Sequence, residues 1–442
     1  MIISLAGKLK NRYFYKTPMN AYSLLDKEFS LSSEEQQALN LQRRIALFQH
    51  AFQHIPFYRK KYVSAGFNIY SIKNDSDFSQ LPLLTKAEVR SNAREMIAEG
   101  DSLDSLLSAA TGGSTGEPVR FYYPKTIPCP FLGWPAVSQL GIELQDSFGL
   151  VGRGVPTLFK QRVHDFIHFP LLVAYLNAAT SIDTKSMSLF ADKLIRIRAK
   201  YIRGYVGGII QFAYFCRQQK IKIPSLRLIW TSSAPLPESQ RHLLQETFEC
   251  PAYTQYGCCE MPWLGMECKR QCGLHTYPTI RHLEITDEKG KQLPKGTIGN
   301  VVITDLLNLR FPLIRYVNGD RSSYLERDCD CGNHAPLINY IQGRVTDCLT
   351  LSDGSVLFGD YLTTVFDHYP DAVKAFQFHQ LRDGTIKFRI VKNPLYTNST
   401  KEIDEVITAF QKLIAGRNII EIEYCSEINH DRGKTRFVIQ DK

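Results

Sequence analysis

No run of apolar residues in this 442-residue chain reaches the roughly 20 that a membrane-spanning helix needs, and the longest window, 169–180, falls well short. Membrane insertion is therefore not expected. Low-complexity stretches of Pro, Ser or Gln are also missing, and 44% hydrophobic with 22% charged residues is the composition of a folded protein. The N-terminal apolar stretch is too short for a signal peptide and no small-residue cleavage site follows it, so export is not expected. Nor is there an even, regular cysteine framework. Eleven unevenly spaced cysteines argue against a secreted disulfide scaffold and for a reducing, cytoplasmic setting, with some thiols available to a metal. The net charge is +9, yet no basic tail or stripe gathers the Lys and Arg. Nucleic acid is not expected, and small anionic substrates account for the excess.

What is present is length enough for two or three cooperating subdomains with a cleft between them. Ser32 with Glu35 reads as a capping box, and Leu39, Ile45, Phe48, Phe52 and Ile55 recur at helical spacing, which predicts one helix to about His54, stopped by Pro56. Thr85 with Glu88 caps another. From about 150 to 310, strand-like runs at 226–230 and 299–304 alternate with helical stretches at 188–201 and 239–248, the pattern of α/β layers. The last hundred residues read as a small α+β unit. Strands at 375–379 and 386–391 flank Arg382-Asp383-Gly384, a helix capped by Ser399 and Glu402 ends at Gly416, and further strands follow at 419–424 and 436–440.

The segment Thr111-Gly112-Gly113-Ser114-Thr115-Gly116-Glu117-Pro118 suits phosphate: its glycines turn backbone N–H groups toward an anion and its hydroxyls add donors. It lacks the Gly-Lys-Ser/Thr ending of a Walker loop, and a flexible linker is the plain alternative. This octet resembles the phosphate loop of the adenylate-forming superfamily, matching its glycines and its final proline, with Val119 where many members carry Lys.

Other segments resemble that superfamily's signatures in the same order. Thr231-Ser232-Ser233-Ala234-Pro235-Leu236 resembles the turn that packs along adenine, which by the resemblance places Ser233, Ala234 and Pro235 beside the base. Tyr256-Gly257-Cys258-Cys259-Glu260 resembles Tyr-Gly-x-Thr-Glu, implying that Tyr256 stacks on adenine, Gly257 and Cys259 line the nucleotide, and Glu260 holds Mg²⁺. Cys259 replaces the usual Thr and is the poorer donor. Asp320 matches the aspartate that accepts from the ribose hydroxyls. Gly343-Arg344-Val345-Thr346-Asp347 resembles the hinge to a mobile lid, with Arg344 on ribose or phosphate, and Lys434 in Asp431-Arg432-Gly433-Lys434 resembles the lysine that bridges carboxylate and α-phosphate.

Cys268, His275, Cys329 and Cys331 supply three thiolates and an imidazole, the ligand set of a closed structural Zn²⁺ site, with Cys272 or His334 as substitutes and free cysteines as the plain alternative. Together with His54-Ile55-Pro56-Phe57-Tyr58-Arg59 and Leu81-Pro82-Leu83-Leu84-Thr85-Lys86, this pattern resembles the phenylacetate–CoA ligase and capsular-polysaccharide-associated branch over about 30–440.

The resemblance implies an α/β fold. A large multi-layer domain over 1–343 would bind ATP and acid, and a small mobile α+β lid would occupy 344–442. The implied reaction uses ATP and Mg²⁺ to turn a small-molecule carboxylic acid, such as an aryl or other apolar acid, into an acyl-adenylate. Coenzyme A is the implied acceptor; a sugar amine, a carrier-protein thiol, or a nucleotide-binding scaffold without turnover stand as alternatives. A homodimer is compatible with all of them. Residues 131–134 and 204–208 are the acid-pocket candidates.

Overall fold

Where Ser32 precedes Glu35, the chain folds as the spacing predicts: the Ser32 hydroxyl accepts from the Glu35 amide and the Glu35 carboxylate accepts from the Ser32 amide at 2.8 Å, opening the helix Ser33–His54. Pro56 ends that helix but also starts the next one, Pro56–Ser64, because at a first-turn position its missing N–H costs nothing. The computed structural model describes residues 16–441 apart from 111–118, 128, 153–155, 170, 179–182, 234–235, 237, 342–348, 358–361, 363–364, 367, 370–371, 395 and 429–437, with side chains from Ser23 onward except at 130, 158, 238, 239, 356 and 374.

One face of Ser33–His54 buries Leu47, Phe48 and Ala51, but its N-terminal half buries Gln36, Asn40 and Arg44 at i, i+4 spacing. Asn40 donates to the Arg281 carbonyl at 3.3 Å and accepts from Arg44 at 2.8 Å. This polar stripe ties the helix to the antiparallel sheet Arg281–Thr286, Gly299–Asp305 and Tyr316–Ser322. Phe48, Tyr58 and Tyr62 pack against Leu283, Ile285, Val301, Ile303 and Tyr316 in one core. Beside it, Arg315 forks onto Glu284 with two bonds of 3.0 Å, both side chains fully enclosed.

The central sheet has eight strands in the order Leu337–Ile338, Leu274–Thr276, Gly265–Met266, Ala252–Tyr256, Leu228–Ser232, Tyr201–Tyr205, Phe148–Gly152 and Val173–Asn177. The five strands from Ala252–Tyr256 to Val173–Asn177 are parallel to one another. Such strands are covered on both faces, hence their near-continuous apolar sequence. On one face Phe190, Phe212, Leu244 and Phe248 from the crossover helices pack on Val151, Ile202 and Ile229. On the other, Trp134, Trp230 and Trp263 pack with Phe148, Tyr201 and Tyr253. Gly204, at φ +145°, has no room for a side chain, since a Cβ there would lie 1.8 Å from the Val151 carbonyl oxygen.

Two local expectations shift. The helix expected over 188–201 runs Thr184–Arg196, capped by Asp183, and Tyr201 opens a parallel strand; Arg198 at φ 51° makes the break. The C-terminal helix Ser399–Ile414 lacks the expected Ser399/Glu402 box, because the Ser399 hydroxyl donates to the Ala372 carbonyl and Glu402 accepts from Tyr396. Residues 349–438 hold a core of their own, with Phe378, Phe388 and Ile390 against Ile403, Phe410 and Ile414. The strands there run in the order Ile420–Tyr424, Ile386–Lys392, Val373–Gln380 and Val438–Gln440. No described helix is long and apolar enough to cross a membrane.

Candidate functional site

In an open parallel sheet, ligands bind beyond the carboxyl ends of the strands. Leu228–Ser232 and Ala252–Tyr256 are adjacent and parallel, so Ser233 and Tyr256 emerge at the same edge. Ser233 sits at φ 77°, a left-handed conformation that costs a non-glycine residue about 1 kcal/mol or more and gathers at functional turns. After Tyr256 the chain turns tightly. Cys258 and Met261 exchange both backbone hydrogen bonds, at 3.0 and 3.1 Å, and a Cβ on Gly257 would lie 2.1 Å from the Pro262 carbonyl oxygen. Glycine is required there for close approach rather than for a positive φ. The turn aims Glu260 inward, 3% exposed, where its Oε1 accepts from the Tyr316 hydroxyl at 2.9 Å. The Tyr123 hydroxyl donates to the carbonyls of Cys259 and Glu260, the latter at 3.3 Å, which fixes the turn from the other side.

Strand alternation supplies the rest. In Tyr316–Ser322, residues 316, 318, 320 and 322 share the buried face. Asp320 Oδ2 accepts from the Tyr256 hydroxyl at 2.9 Å and from Asn318 Nδ2 at 2.7 Å, while Asn318 Nδ2 also donates to the Tyr256 oxygen at 2.7 Å. Burial, with the charge of Asp320 beside it, raises the Tyr256 hydroxyl well above the ordinary tyrosine value, so it stays a donor. Tyr256 is itself largely buried within the core against the N-terminal helices. Two buried carboxylates thus stand on neighbouring elements, each accepting from a tyrosine hydroxyl.

Asn318, Tyr316 and Tyr123 have no counterpart in the sequence reading; the alternation of 316, 318 and 320 before a Gly-Asp was the available signal for the first two. Cys259 is exposed at the turn. Thr111, Gly113, Ser114, Thr115, Gly116, Ala234, Pro235, Arg344 and Lys434 lie outside the described residues. Of the acid-pocket candidates, Leu132 and Trp134 are core residues, and Gly207 and Gly208 lie buried in the helix Val206–Gln218.

A second cluster lies past the turn. The ligand atoms of Cys268, His275, Cys329 and Cys331 are all within 4.8 Å of one another. Cys268 Sγ is 3.6 Å from Cys329 Sγ, and Cys331 Sγ is 3.3 Å from His275 Nε2. Bond lengths of about 2.3 Å to sulfur and 2.0 Å to nitrogen in a tetrahedron give edges of about 3.5–3.8 Å, so the group fits a zinc ion. His275 Nδ1 is 3.0 Å from the Ala335 carbonyl, which directs Nε2 at the thiols. The amides of Arg270 and Asn333 point at the sulfurs of Cys268 and Cys331, both at 3.4 Å. Cys272 Sγ stands 3.4 Å from Cys329 Sγ outside that foursome, and His334 is exposed.

Between the two clusters Glu267 is fully enclosed. It receives Arg241 with two bonds of 3.0 and 2.7 Å, the Thr254 amide at 2.6 Å and the Tyr340 hydroxyl. The thiol loop is thereby fastened to the strand that ends in Tyr256.

Residues 349–441 match the CapK C-terminal domain family. The chain is similar to the phenylacetate-coenzyme A ligase of Thermus thermophilus, at 23% identity over 409 residues, 88% of this chain and 90% of that protein. It is also similar to the Escherichia coli K12 protein of the same name, at 22% identity over 322 residues, 68% of this chain and 70% of that one. Among solved structures, 2-hydroxyisobutyryl-CoA ligase in complex with 2-HIB-AMP and CoA superimposes with a TM-score of 0.63 at 18% identity, over 94% of this chain and 91% of that one. That likeness is one of fold.

Proposed function

We propose that this chain, a member of the adenylate-forming superfamily in its phenylacetate–CoA ligase-like branch, uses ATP to activate a carboxylic acid and transfers the acyl group to coenzyme A. The observation that carries the reading is the pair of buried, tyrosine-held carboxylates, Glu260 and Asp320, at the carboxyl edge of the parallel sheet. An enclosed carboxylate facing a nucleotide site suits a hard cation or a diol, and the two here stand on separate elements, so each can serve one partner.

In the first step a carboxylate oxygen of the acid attacks the α-phosphorus of ATP, the bond to pyrophosphate breaks, and pyrophosphate leaves with the electron pair. In the second, the coenzyme A sulfur attacks the acyl carbon, AMP leaves, and the thiol proton passes to solvent. Each step is a displacement that needs no side-chain nucleophile. Residues 111–116 would wrap the phosphates, and Ser233, Ala234, Pro235 and Tyr256 would border the base. Asp320 would accept from the ribose hydroxyls, with Arg344 beside them. Lys434 would stand between carboxylate and α-phosphate, where a cation offsets the repulsion of two approaching anions. Glu260 would hold Mg²⁺, which supplies charge neutralisation on the phosphate oxygens. Tyr316 and Tyr123 keep that carboxylate on its turn.

We assign residues 1–343 to the ATP- and acid-binding body and 344–442 to a lid, whose turning about 343–347 would keep water from the mixed anhydride. Zn²⁺ at Cys268, His275, Cys329 and Cys331 would be structural, since four protein ligands leave no open position. The ten cysteines among the described residues are free thiols, which fits a reducing cytoplasm.

The test is a screen of aryl, branched and linear carboxylic acids for ATP-dependent pyrophosphate release, with hydroxylamine to trap the adenylate and coenzyme A added or withheld. At least one acid should release pyrophosphate, with a thioester formed when coenzyme A is present. Release without thioester, on adding an amine or carrier thiol instead, would move the acceptor. Folded, ATP-binding protein that activates no acid would overturn the reading.

A further inference from the structure

The crossover helix Leu158–His168, between the parallel strands Phe148–Gly152 and Val173–Asn177, is inside out. Phe159 is 76% exposed and Phe166 83%, and Val163, Ile167 and the following Phe169 are exposed as well. At about 100° per residue, Phe159, Val163, Phe166 and Ile167 fall in one outward stripe about 100° wide. Lys160 lies along one margin of that stripe and Arg162 along the other, both exposed. The opposite face, turned toward the protein, carries Gln161, His164, Asp165 and His168, all half-buried. Asp165 accepts from Lys193 of the helix Thr184–Arg196 at 3.1 Å and has His164 beside it at 3.6 Å. None of the four apolar cores draws a described side chain from this helix.

A crossover helix in an α/β layer ordinarily buries its apolar stripe on the sheet. Here the Asp165–Lys193 ion pair joins the polar face to the next helix, and the apolar stripe lies on the exposed side. Scattered exposed apolar residues are ordinary; four on one stripe, two of them phenylalanine, are not. The choice of occupant rests on the margins. A lysine and an arginine flanking an apolar stripe can lay their stems along an acyl surface and set their charges among phosphates.

We propose that the helix Leu158–His168 is a peripheral docking helix for anionic phospholipid membrane, lying in the bilayer surface with Phe159, Val163, Phe166 and Ile167 inserted among the headgroups and Lys160 and Arg162 on lipid phosphate. It does not span the bilayer. The proposal is independent of the acid-activation reading.

Co-sedimentation of the full chain with vesicles tests it, using phosphatidylcholine alone and phosphatidylcholine with about one-third phosphatidylglycerol. The parent should bind the anionic vesicles, at least about tenfold better than the neutral ones, and lose most of that binding at about 0.5 M salt. F159S/F166S should reduce binding at least about tenfold, as should K160E/R162E. Thermal midpoints should fall little, because the substituted side chains are largely exposed. Equal binding by parent and variants, or none by the parent, would overturn the proposal. A parent that ignores vesicles but forms a dimer in sedimentation velocity, dissociated by F159S/F166S, would instead assign the stripe to a second copy. A parent that ignores vesicles and stays monomeric, while the variants change hydrogen exchange within 349–441, would assign it to the chain's own C-terminal unit.

Discussion

Replacing Glu267 with alanine removes the acceptor at the centre of the connection between the thiol cluster and the strand that ends in Tyr256. The side chain is fully enclosed and accepts from Arg241 twice, from the Thr254 amide and from the Tyr340 hydroxyl. Arg241, itself 5% exposed at its side chain, keeps the Ala252 carbonyl at 2.6 Å but loses its counter-charge. Breaking a buried pair from one side costs about 3–5 kcal/mol, because the remaining charge stays desolvated. With a urea dependence of about 3 kcal/mol per molar, the unfolding midpoint should fall by about 1–2 M. The chain's three tryptophans, Trp134, Trp230 and Trp263, all lie in the core on one face of the central sheet, so intrinsic fluorescence reads this region selectively. R241M/E267L should recover part of the loss, since an apolar pair of similar volume needs no desolvation but leaves the Thr254 amide without its carboxylate acceptor. A loss below about 1 kcal/mol for Glu267→Ala would refute the argument, because that is the scale of an exposed pair.

Elemental analysis of metal-replete protein should find about one zinc per chain, retained in Cys272→Ser and lost in Cys329→Ser; retention in the latter, or loss in the former, would reassign the ligands. Tyr256→Phe removes a hydroxyl shared by Asp320 and Asn318, and should weaken binding of a non-hydrolysable ATP analogue about fivefold by calorimetry, the scale of one net hydrogen bond. Asp320→Asn should weaken it further, and unchanged affinity in both would remove Tyr256 and Asp320 from the nucleotide site. Lys434→Ala should lower pyrophosphate release by about 10²–10³ while ATP binding holds, whereas an equal loss of both would make the lysine a binding residue.

Local chemistry was legible along the chain. The capping boxes at Ser32 and Thr85 depend on side chains three residues apart and formed as spaced. The hairpin around Arg382-Asp383-Gly384 likewise joins Val373–Gln380 to Ile386–Lys392. Ser399 failed as a cap because a carbonyl 27 residues earlier in the chain took its hydroxyl, a competition that no local pattern contains. The helix Ser33–His54 formed as spaced, but the burial of Asn40 and Arg44 has no local signal, because Pro278, Arg281 and Asp75 meet them there from elsewhere in the chain.

By itself the sequence determined the kinds of group available and their order: a glycine-rich segment with hydroxyl and amide donors, Tyr256 and Glu260 four residues apart, Asp320 further on, and thiols and an imidazole of the types that can ligate a metal. Only the tertiary structure decided which of them meet. It set the Tyr256 hydroxyl directly on Asp320 with Asn318 bonded to both, put Tyr316 on Glu260, chose Cys331 rather than Cys272 as the thiol beside His275, and turned the apolar stripe of Leu158–His168 outward. Residue type fixes what an atom can donate or accept, whereas partners far apart in the chain are chosen by how the sheets and helices pack.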